Sequence, residues 1–308
     1  MCTWSKRVSQ CLFLVLLTAA PATRAGEPGP AETTPARPIN WAPESGKLLA
    51  TAGVTEIEGS GGGGLVPWAL ITGYGTKDAV GANAHYTYVH TSSFDLHTAG
   101  AAIGLYDRVE LSIARQWFDT RAVGAKLGLG ANYTFAQTVA GAKVRLFGEA
   151  VYDQDSWLPQ IAVGAQYKSN NRSALLSAIG AKSADGVDFY VAGTKLFLAE
   201  SLLLNATLRA TKANQFGLLG FGGDRSNAYS AEFEGSAAYL LSRTVALGGE
   251  FRTKPDKLRF AREDNAWDLF AAWFLDKHIS ATLAYVNLGR IAQQPSQSGI
   301  YVSLQAGF

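Results

Sequence analysis

The 308-residue chain has little cysteine, little charge and no long apolar run, and each shortage excludes a class of protein. Its two cysteines, Cys2 and Cys11, lie close to the N-terminus, so no disulfide can brace the rest of the chain. Charged residues make up 17% of the sequence, against about 25% in soluble domains. The formal net charge of +2 gives no strongly basic face, which argues against a nucleic-acid partner.

Residues 1–25 have the organisation of a secretory signal peptide. Two basic residues precede the apolar segment CLFLVLLTAA (residues 11–20), which is too short to span a bilayer, and small residues follow it. We therefore expect export through the Sec pathway, with an uncleaved anchor as the alternative. Residues 26–46 are rich in proline, glycine and small polar residues, and we expect them to form a flexible leader before a domain over residues 47–308.

From residue 47 onward, apolar and polar residues alternate with a period of two, as they do in GIYVSLQAGF at the end of the sequence. Most alternating segments run for about 10–12 residues, the length of a tilted membrane-spanning strand. Short and long connections alternate between them. No segment after residue 25 approaches the length of a transmembrane helix. Only helices and closed barrels can cross a bilayer, so a membrane location requires a barrel.

We therefore predict an all-β protein, an antiparallel transmembrane β-barrel of about 14 strands, with 12 strands as the alternative. The count depends on the first hairpin, whose strands are expected near residues 47–57 and 64–74. The glycine run GSGGGG and Pro67 interrupt that hairpin, and both weaken a strand.

Eight charged residues fall on the polar face of the predicted strands. We expect them to line the lumen, because a lipid-facing Arg or Lys at mid-depth costs about 2–4 kcal/mol. They are Glu110, Lys143, Arg145, Arg209, Glu232, Glu234, Glu250 and Arg252. Arg115 is an exception, since it shares the apolar face of Leu111 and Ile113. We expect its side chain to reach towards the outer rim, or the strand to contain a bulge.

The hairpin around residues 241–243 sets how the lumen charges face each other. A three-residue turn there would pair Glu232 with Arg252 and Glu234 with Glu250. Because directly opposed like charges are unfavourable, we expect Arg209, Arg145 or a permeating ion to offset the second pair. The cluster then either braces the barrel wall as a ladder of salt bridges or sets ion selectivity.

Aromatic residues tend to cluster near the ends of the predicted strands. Four tryptophans are expected at the membrane interfaces, namely Trp117, Trp157, Trp267 and Trp273. The alternative is that they belong to the core of a soluble sheet. At the end of the sequence, Phe308 is expected in the aromatic girdle on the periplasmic side.

No arrangement of catalytic residues emerges from the sequence. His278 and Ser280 share a strand face, but no third orienting group and no G-x-S-x-G turn accompany them. No His/Cys cluster has the spacing of a zinc site. We therefore expect no enzymatic activity, no metal and no cofactor.

Long segments of the chain resemble a proteobacterial family of uncharacterised exported proteins, classed as a domain of unknown function. They include GGGGLVPWALITGYGTKD, YDRVELSIARQWFD and FRTKPDKLRFAREDNAWD. The resemblance spans residues 47–308 and implies an outer-membrane barrel, without a substrate or assigned site residues. A looser likeness to the outer-membrane barrels of phenol degradation implies passage of small organic molecules. Similarity to bacterial barrels also implies that the assembly machinery recognises the terminal alternation Val302, Leu304, Ala306 and Phe308.

We therefore predict a barrel in the outer membrane of a Gram-negative bacterium that acts as a passive pore or uptake channel for small solutes. The expected partners are the lipid bilayer with its lipopolysaccharide, the outer-membrane assembly machinery and periplasmic chaperones. A closed structural or surface-interaction barrel with binding loops is the first alternative, and a soluble periplasmic β-protein is the second. A filled lumen that does not conduct would contradict the channel hypothesis.

Overall fold

The computed structural model describes residues 46–308, so the predicted signal peptide and nearly all of the predicted leader lie outside it. Its main element is a closed barrel of twelve antiparallel strands. Two short strands, β1 (Val54–Thr55) and β2 (Gly61–Gly62), come first and pair with each other. The barrel strands are β3 (Val80–Thr91), β4 (Asp95–Leu105), β5 (Val109–Asp119), β6 (Thr134–Phe147), β7 (Gln160–Asn170), β8 (Asp185–Phe197), β9 (Leu202–Thr211), β10 (Ser230–Leu240), β11 (Val245–Arg252), β12 (Ala266–Phe274), β13 (Ile279–Asn287) and β14 (Ser298–Gly307).

Each barrel strand pairs with its neighbours in sequence, and β14 pairs with β3 to close the ring. The alternative of twelve strands is therefore correct, and the expectation of fourteen is wrong. The first predicted hairpin, residues 47–57 and 64–74, does not join the barrel wall. Its glycines carry no side chain to pack against a neighbouring strand, and Pro67 has no N–H to donate to a ladder.

The connections differ between the two ends of the barrel. At one end, here called the turn end, the strands are joined by residues 106–108, 148–159, 198–201, 241–244 and 275–278. The other end, here called the loop end, carries residues 92–94, 120–133, 171–184, 212–229, 253–265 and 288–297. These loops contain two short helices, α1 (Arg121–Lys126) and α2 (Ser173–Ala178). No helix among residues 46–308 is long and apolar enough to cross a membrane.

The outer face of the barrel is apolar, as the alternation predicts. Along β9, for example, Leu204 and Leu208 are 43% and 58% exposed, whereas Arg209 is 1% exposed. Arg115 points outward with its apolar neighbours, and its guanidinium donates to the hydroxyl of Thr138 on β6. The ladders on both sides of β5 run without a register shift, so this strand contains no bulge.

The lumen of the barrel is occupied by the chain itself. Residues 47–75, here called the plug, enter the barrel from the turn end, and residues 54–75 are all buried. The plug is anchored at the turn end, where the Lys47 ammonium lies 2.9 Å from an Asp107 carboxylate oxygen. On its return, the Tyr74 N–H donates to the carbonyl of Phe308 at 2.8 Å. The plug therefore begins and ends at the turn end and reaches up into the barrel between.

Candidate functional site in the lumen

Two wall carboxylates hold the backbone of the plug. Glu110 accepts the N–H of Gly61 at 2.9 Å and the N–H of Thr72 at 2.8 Å, so it binds both legs of the plug. Glu250 accepts the N–H of Leu65 at 2.6 Å. A Cβ atom on Gly63 would overlap Glu250 Oε1. The glycine run thus allows the backbone to approach the wall closely enough for charge-assisted hydrogen bonds.

Lys143 of the wall also binds the backbone of the plug. Its ammonium donates to the carbonyls of Gly61 and Leu70, both at 2.8 Å, and lies 3.0 Å from Glu110 Oε2. Because Lys143 and Glu110 are cross-strand partners on β6 and β5, one ion pair of the wall supplies both a donor and an acceptor to the plug. This arrangement satisfies backbone groups that burial would otherwise leave unpaired.

The most highly charged contact is centred on Glu58 of the plug. Its fully buried carboxylate is bonded by the ammonium of Lys168 and by Arg252 Nη1 at 3.1 Å. A third cation, Arg209, lies 3.7 Å away. These three wall residues are here called the cation cage. Burial alone would raise the pKa of Glu58, but the nearby cations, Arg252 foremost, hold that pKa well below its usual range.

Wall carboxylates and aromatic rings hold the cage in place. Asp188 lies 2.6 Å from Lys168 Nζ. Glu234 accepts from Arg209 Nε at 2.5 Å and lies 3.1 Å from Arg252 Nε. The guanidinium of Arg252 stacks on the ring of Phe216, with 4.4 Å between its carbon and the ring centroid. Such stacking and pairing fix the direction in which each cation points.

The register of β10 and β11 corrects the expected opposition of like charges. Glu234 faces Arg252, and Glu250 faces Ser236. Glu232 instead pairs with Arg209 across the β9–β10 ladder. The last pair of the β10–β11 ladder is Leu240 with Ala246, so residues 241–245 connect the paired positions. This connection is two residues longer than the expected turn 241–243. The register is therefore shifted by two residues.

Of the two arginines expected near Glu234, Arg209 lies beside it. Arg145 does not belong to the cation cage. Arg145 is at the turn end, where its guanidinium binds Asp107 and, at 2.6 Å, Glu149. All eight predicted lumen residues are buried. All of them except Arg145 lie around the plug. These residues around the plug are here called the charged layer, together with Lys168 and Asp188 of the wall and Glu56 and Glu58 of the plug. The proposed role of the predicted lumen residues in selectivity stays a prediction.

A second plug carboxylate, Glu56, lies beside the cage. Burial, reinforced by the charge of nearby Glu58, raises the pKa of Glu56 to about 8. Its Oε1 accepts from the side-chain amide of Gln166 at 2.6 Å, and that amide oxygen accepts from Arg209. Glu56 is therefore the member of the plug that is most easily charged by a rise in pH.

Apolar layers lie in the lumen above and below the charged layer. At the loop end, Ile57 packs in a cluster with the wall and loop residues Val89, Phe94, Phe118, Phe216, Leu288 and Ile291. At the turn end, Val54 and Trp68 pack against Leu203 and Phe270. The cavity remaining in each layer is about 20 Å³, room for about one water molecule. Plug and wall side chains therefore pack closely in both layers.

The remaining predicted residues lie outside the lumen contacts. All four tryptophans are exposed, and Trp157, at 86%, lies in the connection 148–159. Phe308 exchanges backbone hydrogen bonds with Ala82, and its ring lies 5.9 Å from that of His278. His278 Nδ1 lies 3.2 Å from the carbonyl oxygen of Gly307. Among residues 46–308, no group of three acidic, histidine or cysteine side chains could hold a metal ion.

The sequence did not single out four members of the charged layer: Glu56, Glu58, Lys168 and Asp188. Lys168 and Asp188 alternate correctly for the inner face of β7 and β8, so the strand pattern contained their signal. Glu56 and Glu58 had no such signal, because the alternation in residues 47–57 indicated a wall strand. The glycine run and Pro67 that follow this segment argue against a wall hairpin, but no local pattern indicates that the segment folds into the lumen.

Comparison with known proteins places the chain in a family. Its residues 51–305 match the model of a family of proteins of unknown function, DUF3034. The chain belongs to this family. The resemblance to an uncharacterised family is thereby confirmed, and the chain matches no curated protein.

Several solved outer-membrane structures have a similar barrel. The KdgM porin is 12% identical over 73% of this chain and 99% of its own, with a TM-score of 0.48. The NanC porin is 10% identical over 74% and 98%, with a TM-score of 0.45. The outer membrane phospholipase A from Escherichia coli is 11% identical over 73% and 92%, with a TM-score of 0.42. These similarities concern the barrel fold and not the activity of this chain.

Proposed function

We propose that this protein is an outer-membrane β-barrel channel that residues 47–75 close from the inside, and that small solutes pass when this plug moves. The carrying observation is that the plug meets the inner face of the wall through charged and polar groups, among them Glu58 with the cation cage and Glu110 with the plug backbone. The passive pore or uptake channel expected from the sequence is, in this proposal, a channel whose lumen the plug fills while it is closed. Diffusion of small solutes through it is therefore gated by the plug.

The chemistry of the charged part of the plug–wall contact supports movement. Separating an apolar interface in water costs about 25 cal/mol for each Å² exposed. In the charged layer, by contrast, Glu58 and the cation cage regain hydration when they separate, and buried ion pairs are often near neutral in net stability. The barrel wall keeps its own ladders throughout, so the plug can leave without unfolding the barrel.

The outer surface supports a location in the outer membrane. Leucine and aromatic side chains are exposed around the ring, as a lipid environment requires. We accordingly propose the bilayer and its lipopolysaccharide as the surroundings of the barrel. Export through the Sec pathway, insertion by the assembly machinery and help from periplasmic chaperones complete this proposal. A role in transport, and not in catalysis, is the function that it assigns.

A reversible tether tests whether the plug is the gate. Thr55 Oγ1 lies 3.4 Å from Gln305 Oε1 of β14, and the described residues contain no cysteine to compete with introduced thiols. In the full chain with Thr55→Cys and Gln305→Cys, we expect oxidation to reduce channel openings in planar bilayers at least about tenfold. A reductant should restore them, and Thr55→Cys alone should respond to neither reagent.

The same recordings separate the channel from its main alternative. If the oxidised and reduced tether variants conduct alike, the plug is not the gate. If the wild-type chain never conducts although its barrel is folded, the closed structural barrel with binding loops is the better description. The complete burial of residues 54–75 is the observation that favours this second candidate.

A further inference from the structure

The cation cage loses an acceptor when the plug leaves. Both hydrogen bonds donated by Arg252 Nη1 go to the plug, one to Glu58 at 3.1 Å and one to the carbonyl of Leu65 at 3.3 Å. The ammonium of Lys168 loses Glu58 as well and keeps Asp188. Water then replaces Glu58 as the acceptor of both cations, but a carboxylate is the stronger acceptor because its hydrogen bonds are charge-assisted. The unplugged wall therefore presents two donors directed at the place of a carboxylate.

The formal charges of the cage and its wall carboxylates balance without the plug, so the site is set by the donors that point at Glu58 and not by a charge deficit. The three cations of the cage face three wall carboxylates within 4.0 Å, namely Asp188, Glu232 and Glu234. Glu58 is a fourth carboxylate that only the plug supplies. A free anion with two oxygens would restore the charge-assisted hydrogen bonds that Glu58 provides. A neutral or cationic solute would not restore them.

An apolar site adjoins the cage. Ile57, the neighbour of Glu58, packs with Phe94, Phe118 and Ile291 at the loop end. Phe216 belongs to both sites, since its ring contacts this cluster and lies under the guanidinium of Arg252. Its carbonyl also accepts from Lys168 at 3.3 Å. When the plug leaves, an apolar pocket and a carboxylate site stay next to each other on the wall.

We propose that Ile57 and Glu58 occupy a binding site for a small amphipathic carboxylate, a solute with one carboxylate group and a compact apolar end. Such a solute binds the wall in place of these two residues and holds the plug out of the lumen. A ligand that binds only the unplugged state shifts the equilibrium towards it. This inference rests on the proposed gating by the plug and names the class of solute that opens the gate.

Thiol labelling of the full chain with Cys2→Ser and Cys11→Ser tests the inference without requiring conductance. Thr55 is 0% exposed, so a maleimide should label Thr55→Cys only when the plug moves. Hexanoate is the probe, compared with neutral hexanamide and with acetate, which lacks the apolar end. For a dissociation constant of about 2 mM, about 20 mM hexanoate should accelerate labelling about tenfold. Hexanamide and acetate should accelerate it less than about twofold.

Two arginine variants locate the site, with each acceleration taken relative to the variant's own basal rate. Arg252→Gln should weaken hexanoate binding at least about tenfold, because a charge-assisted contact is lost, and reduce the acceleration to about twofold or less. Arg145→Gln is the matched control, since Arg145 is a buried wall arginine bound to Asp107 and Glu149 at the turn end. It should keep the full effect.

The outcomes separate this inference from the proposed function. No acceleration by hexanoate, equal acceleration by hexanamide or acetate, or an unchanged effect in Arg252→Gln would each overturn the carboxylate site. Acceleration that disappears in Arg252→Gln supports it, even in a barrel that never conducts. In that last case the gating function fails while the site stands. If the protein conducts and labelling does not respond to hexanoate, the gating function stands and the carboxylate site fails.

Discussion

Gly63 has no side chain, and this lets the backbone of the plug approach the wall. A Cβ there would overlap a Glu250 oxygen, whereas a Cβ on Gly64 would meet its nearest neighbour, the ring of Tyr301, at 3.3 Å. We expect Gly63→Ala to destabilise the plugged state by about 1–3 kcal/mol. Maleimide labelling of Thr55→Cys should therefore be about tenfold faster in Gly63→Ala. Gly64→Ala is the matched control, and similar rates in both variants would contradict the proposed fit.

Glu56 should make the plugged state sensitive to pH. Its pKa is raised from an ordinary 4.5 to about 8 inside the lumen, by burial and then by Glu58. For an acid with a raised pKa, the folded state holds the proton more tightly than the unfolded one. The stability contributed by the buried, protonated group is therefore complete below pH 4.5 and is lost as the pH rises towards 8, by at most about 1.4 kcal/mol per pH unit.

Thermal unfolding of wild type and Glu56→Gln between pH 5 and 8.5 measures this loss. The wild-type melting temperature should fall relative to that of the variant as the pH rises, because the amide introduced by Glu56→Gln is neutral throughout this range. A constant difference between the two proteins at every pH would show that Glu56 does not titrate in the lumen.

At the scale of the element, β14 illustrates both closure and assembly. Its ladder to β3 runs from Gly299 to Gly307, and Phe308 continues it through two backbone hydrogen bonds with Ala82, at 2.8 and 3.1 Å. Because the Phe308 ring is 54% exposed, it contributes little to the barrel core. The folded barrel therefore does not depend on this ring for packing, so a proposed role of the ring in assembly can be tested separately from stability.

We expect Phe308→Ala to lower the yield of membrane-inserted barrel several-fold while leaving the stability of the inserted barrel nearly unchanged, because the backbone bonds of β14 remain. Heat-modifiable mobility of membrane fractions measures the yield, and urea unfolding measures the stability. Leu304→Ala, an exposed residue within β14, is the comparison variant. Normal insertion of Phe308→Ala would remove the proposed assembly role.

Local alternation predicted most elements, because each strand of a barrel has one lipid face and one inner face. It set the faces of β9 and β14 correctly and placed Arg209 and Glu234 inside. It was wrong for residues 47–57, where the same period of two occurs in a segment enclosed on all sides. It also could not fix the register of the β10–β11 hairpin, since a shift of two residues keeps every side chain on its own face.

At the scale of the whole molecule, the contacts that define the site join distant parts of the chain. Glu58 meets Lys168 and Arg252, which lie 110 and 194 residues away in the sequence. No periodicity of a single sequence encodes such a pairing. The inward position of each charged wall residue could be predicted from its strand. Their contacts with the plug could not, because these contacts form only when the closed barrel surrounds the plug.

The plug is continuous with the wall, since only residues 76–79 separate it from β3. A short tether keeps a released group at an effective concentration of about 1 mM near its site. Glu58 therefore competes for the cation cage as an intramolecular ligand that dilution cannot remove. A competing solute must therefore offset this effective concentration and also the other contacts that hold the plug, among them the bonds of Glu110 and Glu250 to its backbone. Because the plug stays covalently joined to β3, the closed state returns by itself once the solute is gone.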